Sequence, residues 1–256
     1  MDHQLSVIIC THNEAARIAA CLQSLRGVAD EIIVVDDAST DQTVLIASSL
    51  GARVVQEPWR GFGAQKNQAA ELAAHHYVLS LDADEALSPQ MQQSIVLAKQ
   101  KGLQGVYSLD RINKYYGKYL RHGLENPDHK ARLYPKDICS WSLDKVHERL
   151  LMPDDLSIQL LEGKLLHDTY PKFSDHVQKA DRYTSLAAAQ YFADGKKASI
   201  AKIIFSPWAV FIKAYFLKLG LLDGLHGFIL AYMHAQGTFL KYVKLWDLQR
   251  VQKELK

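Results

Sequence analysis

A chain of 256 residues that is 48% hydrophobic is long enough for one large α/β domain with an appendage, and too apolar to remain disordered. The formal charge of +2 conceals an asymmetry: from Lys196 onward ten Lys or Arg face three acids, a net +7, which leaves −5 for the preceding residues. Cys10, Cys21 and Cys139 show no metal-type spacing, which excludes a zinc finger or a disulfide framework, and "MDHQLSVIICTHNE" does not read as a secretory signal, so a cytoplasmic protein with no nucleic-acid partner is expected.

In chain order, "LSVIIC" (5–10), "EIIVVD" (31–36), "ARVVQ" (52–56) and "YVLSL" (77–81) are rich in Val, Ile and Leu and apolar on both faces, as strands of a buried parallel sheet are. Between them, 14–25, 40–50 and 64–76 carry apolar residues at helical spacing, the pattern of crossover helices. Ser39, Thr40 and Asp41 offer caps to the second helix. Ser88-Pro89 opens a fourth with a cap and an N1 proline, and Gly51 and Gly102 stop their helices. Beyond about residue 105 the pattern becomes irregular strands and loops, and from Pro171 three consecutive helices are expected. The apolar stretch 198–222 is interrupted by Lys202, Pro207, Lys213 and Lys218. A central lysine costs a spanning helix about 2.5–3.5 kcal/mol, so the stretch is expected to lie on a membrane rather than cross it.

The chemistry concentrates where strands end. After "YVLSL" come Asp82, Asp84 and Glu85. Two carboxylates two residues apart repel unless a proton or a cation lies between them, and hard divalent ions use such oxygens together with substrate phosphates. Taken alone, the same residues are a solvated loop capping the next helix. Asp36 and Asp37 end another strand, suited to ribose or base hydrogen bonds or simply to a turn capped by Ser39. "THNE" (11–14) ends the first strand, so three polar strand ends share one rim. "GFGAQKN" (61–67) brings glycines and Lys66 to a helix start, a setting suited to diphosphate, yet it is neither a P-loop nor the dinucleotide fingerprint.

In this order "IICTHNE", "VVDDASTD", "GFGAQKN" and "LSLDADE" resemble the GT-A glycosyltransferases of family 2, over about residues 5–90. The resemblance implies a GT-A nucleotide-diphospho-sugar transferase fold, Rossmann-like, with a mostly parallel sheet and flanking helices: a catalytic domain over 1–170, followed by a helical, membrane-associating extension over 171–256. It implies inverting sugar transfer from a UDP-sugar, assisted by Mg²⁺ or Mn²⁺. Carried onto this chain, Thr11, Asn13, Glu14, Asp36 and Asp37 border the nucleotide, and Lys66 approaches base or phosphate. Asp82 and Asp84 hold ribose and metal, with Asp84 favoured as the direct ligand.

Inverting transfer also needs a base for the acceptor hydroxyl. "WSLDKVHERLL" offers Glu148 first, Asp144 second, and His147 to orient the acceptor, or else a salt-bridged surface strand. Arg132 is suited to phosphate or to pairing with an acid, and His167 to a hydrogen-bonded structural role. The tail "FIKAYFLKLGLLDGLHGFILA" (211–231) is similar to bacterial lipopolysaccharide core glycosyltransferases that add glucose to inner-core heptose. That narrower resemblance implies UDP-glucose as donor, a lipid-linked acceptor, and a peripheral place on the cytoplasmic leaflet of the inner membrane. Transfer to another envelope glycan, a Mg²⁺-dependent phosphohydrolase and a non-catalytic membrane-surface module are the alternatives. The phosphohydrolase lacks its DxD after the first strand, and the module leaves the ordered acidic motifs unexplained.

Overall fold

Val, Ile and Leu runs buried on both faces pair into a parallel core in the computed structural model, which describes residues 3–144 and 148–254. In chain order the first elements are β1 (Leu5–Thr11), α1 (Ile18–Gln23), β2 (Glu31–Asp36), α2 (Thr43–Ser49), β3 (Arg53–Gln56), α3 (Phe62–Glu71), β4 (Tyr77–Asp82), β5 (Glu85–Leu87) and α4 (Pro89–Lys101). β6 (Val106–Tyr115), β7 (Lys118–Tyr119), β8 (Asp128–Pro135), β9 (Ser140–Trp141), β10 (Leu150–Leu151), β11 (Ile158–Leu160) and β12 (Leu165–Tyr170) follow, then α5 (Phe173–Ala193), α6 (Ile200–Ile212) and α7 (Leu225–Glu254).

The sheet order β3-β2-β1-β4-β8-β6-β12-β5 is parallel from β3 to β4 and antiparallel from β4 through β8 to β6. The fold class is therefore α/β, a partly parallel sheet with flanking helices as expected, with a helical C-terminal region. Alternation along β1 and β4 sends Val7, Ile9, Leu79 and Leu81 to one face, against α1 and α4. Ile8 and Val78 go to the other, against Ala69 and Ala70 of α3 and Trp141 of β9. β1 lies between β2 and β4, so the chain reverses direction across the sheet at the carboxyl ends of β1 and β4, the place where open α/β sheets bind ligands.

The local signals act as expected at some ends and differ at others. Ser88 Oγ accepts the Met91 N–H, with Pro89 at the first helical position, and Gly51 and Gly102 take φ of 87° and 85° where their helices stop. The helix expected over 14–25 contracts to Ile18–Gln23, because Asn13 adopts φ 55° and the residues after it form a turn closed on the Glu14 carbonyl. α2 begins only at Thr43, whose N–H is taken by Asp41 Oδ1 at 2.9 Å.

The chain forms two compact units. One comprises Met1–Ile112 with Asp128–Asp168, and the other Asn113–Pro127 with Thr169–Lys256. In the second unit α6 contains Pro207 and runs into a π-helical turn at Lys213–Leu217, and a short 3₁₀ turn at Gly220–Asp223 leads to α7. A Cβ on Gly227 would lie 1.9 Å from the Gly220 carbonyl oxygen, so only glycine fits there. Asp223 is buried and accepts the N–H groups of Arg121 (3.1 Å) and His122 (2.8 Å). The glycines and the aspartate of "GLLDGLHG" thus have a packing explanation within this unit. Ile200–Leu217 is apolar and long enough by composition to cross a membrane, with a mean hydropathy of 1.5, and Lys202 and Lys213 stand exposed within it.

Candidate active site

The first unit gathers alternating charges at the carboxyl ends of β1, β2 and β4, where Thr11 pairs with Asp36 and Cys10 with Asp82 in register. Lys66, in the first turns of α3, is 3% exposed, and its ammonium lies 3.1 Å from Asp82 Oδ1 and 2.8 Å from Glu148 Oε1. It also stands 4.7 Å from the centroid of the Trp141 ring, whose face favours a cation. Arg132 donates to Asp82 Oδ2 at 2.7 Å and to Glu85 Oε1 at 2.8 Å, and Arg111 joins from Glu85 to Asp128. The result is a line of charges, Arg111, Glu85, Arg132, Asp82, Lys66 and Glu148, in which every partly desolvated acid meets a cation.

Burial opposes the charge on Asp82, but the pull of Arg132 and Lys66 outweighs it and holds the carboxyl well below the usual carboxylate range. Arg132 is buried with its Nε unpartnered among the described residues, and its guanidinium is pushed up by Asp82 and Glu85 despite burial. Burial pushes the Cys10 thiol up to about 12, so no thiolate nucleophile stands at this rim.

Asp84 faces a second cluster. Its Oδ2 is 3.3 Å from His167 Nε2 and 3.8 Å from Arg17 Nη1. Burial again raises its pKa, and His167 and Arg17 more than offset that, so the carboxyl is lowered. Arg17 grips Glu14 through two 2.6 Å bonds, and burial nevertheless leaves Glu14 raised. The Asp82 and Asp84 carboxylates therefore face different partners, Asp82 the Lys66–Arg132 pair and Asp84 the His167–Arg17 pair.

The remaining expected residues divide by environment. Thr11 is buried, and its hydroxyl has no partner among the described residues. Asn13 ties two loops together, its N–H to Ser39 Oγ and its Oδ1 accepting from Thr40 N, both at 2.8 Å. Asp36 is fully buried with both oxygens taken by Ser39, so it holds the turn that follows β2. Asp37 accepts the Trp59 N–H at 3.0 Å and remains partly exposed. Asp144 accepts from Ser142 Oγ at 2.8 Å and lies 3.7 Å from Arg149. Among the described residues none of its bonds reaches the Lys66 cluster. His147 lies outside the described residues.

Three further residues build the site with weaker signals in the sequence. Asn67 clamps the β9 backbone, donating Nδ2 to the Trp141 carbonyl at 2.9 Å and accepting the Trp141 N–H at 2.7 Å. Trp141 is thereby fixed beneath the Lys66 ammonium, and the adjacent pair "KN" is the signal. Glu85 and Arg17 are the others. Glu85 is marked only as a third acid after the strand, and Arg17 by its spacing of three from Glu14 on a helical turn.

Residues 6–153 match the model of glycosyl transferase family 2. A protein of Rickettsia prowazekii (strain Madrid E) called an uncharacterized glycosyltransferase is 32% identical over 96% of this chain and 87% of its own. The lipopolysaccharide core biosynthesis glycosyltransferase LpsC of Rhizobium meliloti (strain 1021) is 31% identical over 95% and 92%. Among solved structures, glucosyl-3-phosphoglycerate synthase from Mycobacterium tuberculosis, with Mn²⁺ and UDP-glucose, is 26% identical over 43% of this chain and 44% of that one, at a TM-score of 0.37. The matched region spans β1 to the segment bearing Glu148 and so includes most of the charged rim: the chain belongs to glycosyl transferase family 2 and is a glycosyltransferase.

Proposed function

We propose that this glycosyltransferase inverts the anomeric centre while moving glucose from UDP-glucose onto a lipid-linked acceptor, the inner-core heptose of lipopolysaccharide. The observation that carries the chemistry is the pair of neighbouring clusters at the β1/β4 crossing, Asp84 with His167 and Asp82 with Lys66 and Glu148. The relative named for lipopolysaccharide core biosynthesis supports the acceptor class.

A divalent ion fits the cluster around Asp84. Asp84 supplies an oxygen and His167 a nitrogen 3.3 Å apart, and among the described residues no three His, Cys, Asp or Glu side chains are grouped to hold an ion alone. Such a donor set leaves coordination positions for diphosphate oxygens, as Mg²⁺ and Mn²⁺ sites do. A bound ion would stabilise the charge of the departing diphosphate as a Lewis acid. Thr11, Asn13, Glu14 and Asp37 border the nucleotide, the buried Thr11 hydroxyl having a free hydrogen-bonding capacity among the described residues; Asp36 supports their turn. Asp82, held by Arg132, meets the ribose side, and Lys66 moves between acid and diphosphate.

Glu148 takes the proton as the acceptor oxygen bonds to the anomeric carbon from the face opposite the diphosphate. The bond from that carbon to the diphosphate breaks, and its electron pair leaves with the UDP. Asp144 and His147 flank the acceptor side. The catalytic domain is assigned to 1–170, and the helices of 171–256 hold the enzyme on the cytoplasmic leaflet, in reach of its acceptor.

Calorimetric titration with UDP-glucose, UDP-galactose and GDP-mannose, each with Mn²⁺ and with chelator, tests the donor. Metal-dependent binding selective for UDP-glucose is the expected result. Preference for another nucleotide sugar moves the enzyme to a different envelope glycan.

A further inference from the structure

The second unit contains a cavity of about 610 Å³ between the α5–α6 turn and the last turns of α7. Lys196, Lys197 and Arg250 line it together with Trp246, and no acid lines it among the described residues. Gln249 builds its wall, accepting the Ala198 N–H at 3.2 Å and donating to the Lys196 carbonyl at 2.7 Å. Asp194 and Asp247 partly neutralise Lys196 and Arg250 from outside the cavity, and the Lys196 ammonium also lies over the Tyr191 ring, whereas the Lys197 ammonium has no ion-pair partner among the described residues. Ser199 and Ile200, which open α6, form the remaining edge, so the positive end of that helix adds to the same field.

The cavity is continuous through Ile200 with an apolar face left exposed among the described residues. Ile200, Phe205 and Trp208 are 75%, 68% and 66% exposed. At about 100° per residue, Ile200, Ile204, Phe205, Trp208 and Ile212 occupy an arc of about 140°, with Lys202 and Lys213 together on one flank. An apolar arc with lysines at its margin is the pattern of a helix lying in a lipid interface, and the basic cavity sits at the end of that arc.

We propose that this cavity seats the phosphate headgroup of an anionic phospholipid while the exposed face of α6 enters the acyl boundary of the same leaflet. This rests on the membrane-surface reading above and adds to it a defined headgroup site. The charge complementarity is local: three basic residues and an indole line a space large enough for a headgroup, Lys197 with its charge unpaired among the described residues and Lys196 and Arg250 partly neutralised, and Trp246 offers the amphipathic ring that favours the interface.

The test is co-sedimentation of the full chain with vesicles of phosphatidylcholine alone and with vesicles containing one-third phosphatidylglycerol, at one ionic strength. The wild type is expected to favour the anionic vesicles roughly tenfold or more. Lys197→Gln/Arg250→Gln should lose most of that preference, and Lys101→Gln/Arg53→Gln, which removes the same charge elsewhere, should keep it. Lys197→Gln alone removes a side chain with no ion pair to lose among the described residues and should show a partial loss, restored by Lys197→Arg. Equal loss in the two double variants overturns the site in favour of diffuse attraction. Equal sedimentation of the wild type with both vesicles overturns the headgroup site and leaves membrane binding standing, whereas sedimentation with neither overturns both. A tryptophan fluorescence response to inorganic phosphate without any vesicle preference reassigns the cavity to a soluble phosphate and overturns the lipid assignment.

Discussion

Lys66 Nζ lies 2.8 Å from Glu148 Oε1, joining the helix after β3 to the segment after β9 through one nearly buried ammonium. The same ammonium meets Asp82 at 3.1 Å, so a single cation fixes both an acid at the strand end and the proposed base. Glu148→Gln retains the shape and one hydrogen bond to Lys66, so nucleotide affinity should change little while kcat falls by about 10²-fold or more. Near-normal turnover removes Glu148 from that role. Lys66→Met is a different lesion, because it leaves Glu148 without a cation. It should lower stability by roughly 3 kcal/mol, read as an earlier urea midpoint, in addition to weakening the donor.

The Asn67 clamp on Trp141 predicts a positioning effect. Asn67→Ala removes two hydrogen bonds and leaves a backbone N–H and a carbonyl of β9 to find new partners, a cost of about 2 kcal/mol. Trp141 and the residues that follow it should lose their fixed place under Lys66, so kcat should drop more than donor affinity. Equal losses in donor affinity and turnover would show that Asn67 acts on the nucleotide instead. Gly63→Ala reaches the same seam by another route, since its Cβ would fall 1.9 Å from the Ser142 carbonyl oxygen. It should reproduce the kinetic defect without touching any polar group of the rim.

Legibility in the sequence followed how local each cause was. β2 begins and ends where its branched run does, and Ser88-Pro89 fixes the start of α4, because strand patterning and capping act over a few residues. The acidic strand ends were legible as a rim for the same reason. What each acid does there depends on partners far along the chain. Asp36 is consumed by its own turn, Asp82 by Lys66 and by Arg132 fifty residues away, and Asp84 by His167 on β12. No spacing rule relates 84 to 167 or 66 to 148, since those contacts come from sheet order. In the tail, "GLLDGLHG" carries a family likeness, and its glycines and Asp223 also answer the close approach at Gly220 and Gly227 and the turn at Arg121 and His122.

His176 links stability to pH in the second unit. Its ring stacks on Tyr170 at 4.2 Å and its Nδ1 bonds the Tyr116 hydroxyl, and burial first, then His234 and Lys179, push its pKa down from 6.5 to about 4. In that interval the unfolded chain binds a proton that the folded chain refuses, so stability falls as pH drops through about 6.5 and levels off below about 4. The full effect of such a shift is about 3 kcal/mol. Urea midpoints taken across that range should fall for the wild type and stay flatter for His176→Phe, which keeps the stacked ring. Parallel curves would remove His176 as the source.

The closeness of Asp84 Oδ2 and His167 Nε2 gives the metal assignment its sharpest test. Asp84→Asn keeps the volume and a weak oxygen donor but loses the charge, and His167→Ala loses the nitrogen donor outright. If both hold one ion against the diphosphate, each variant should bind UDP-glucose in the presence of Mn²⁺ about tenfold or more weakly, as loss of a ligand or its immediate support does elsewhere. In chelator, where the ion contributes nothing, each should bind the nucleotide as the wild type does, and the double variant should be little worse than either single one. Asp82→Asn provides the contrast. Its oxygens are occupied by Lys66 and Arg132, so its loss should weaken donor binding to a similar extent with and without Mn²⁺. A metal-dependent defect in Asp82→Asn combined with none in Asp84→Asn would exchange the two roles.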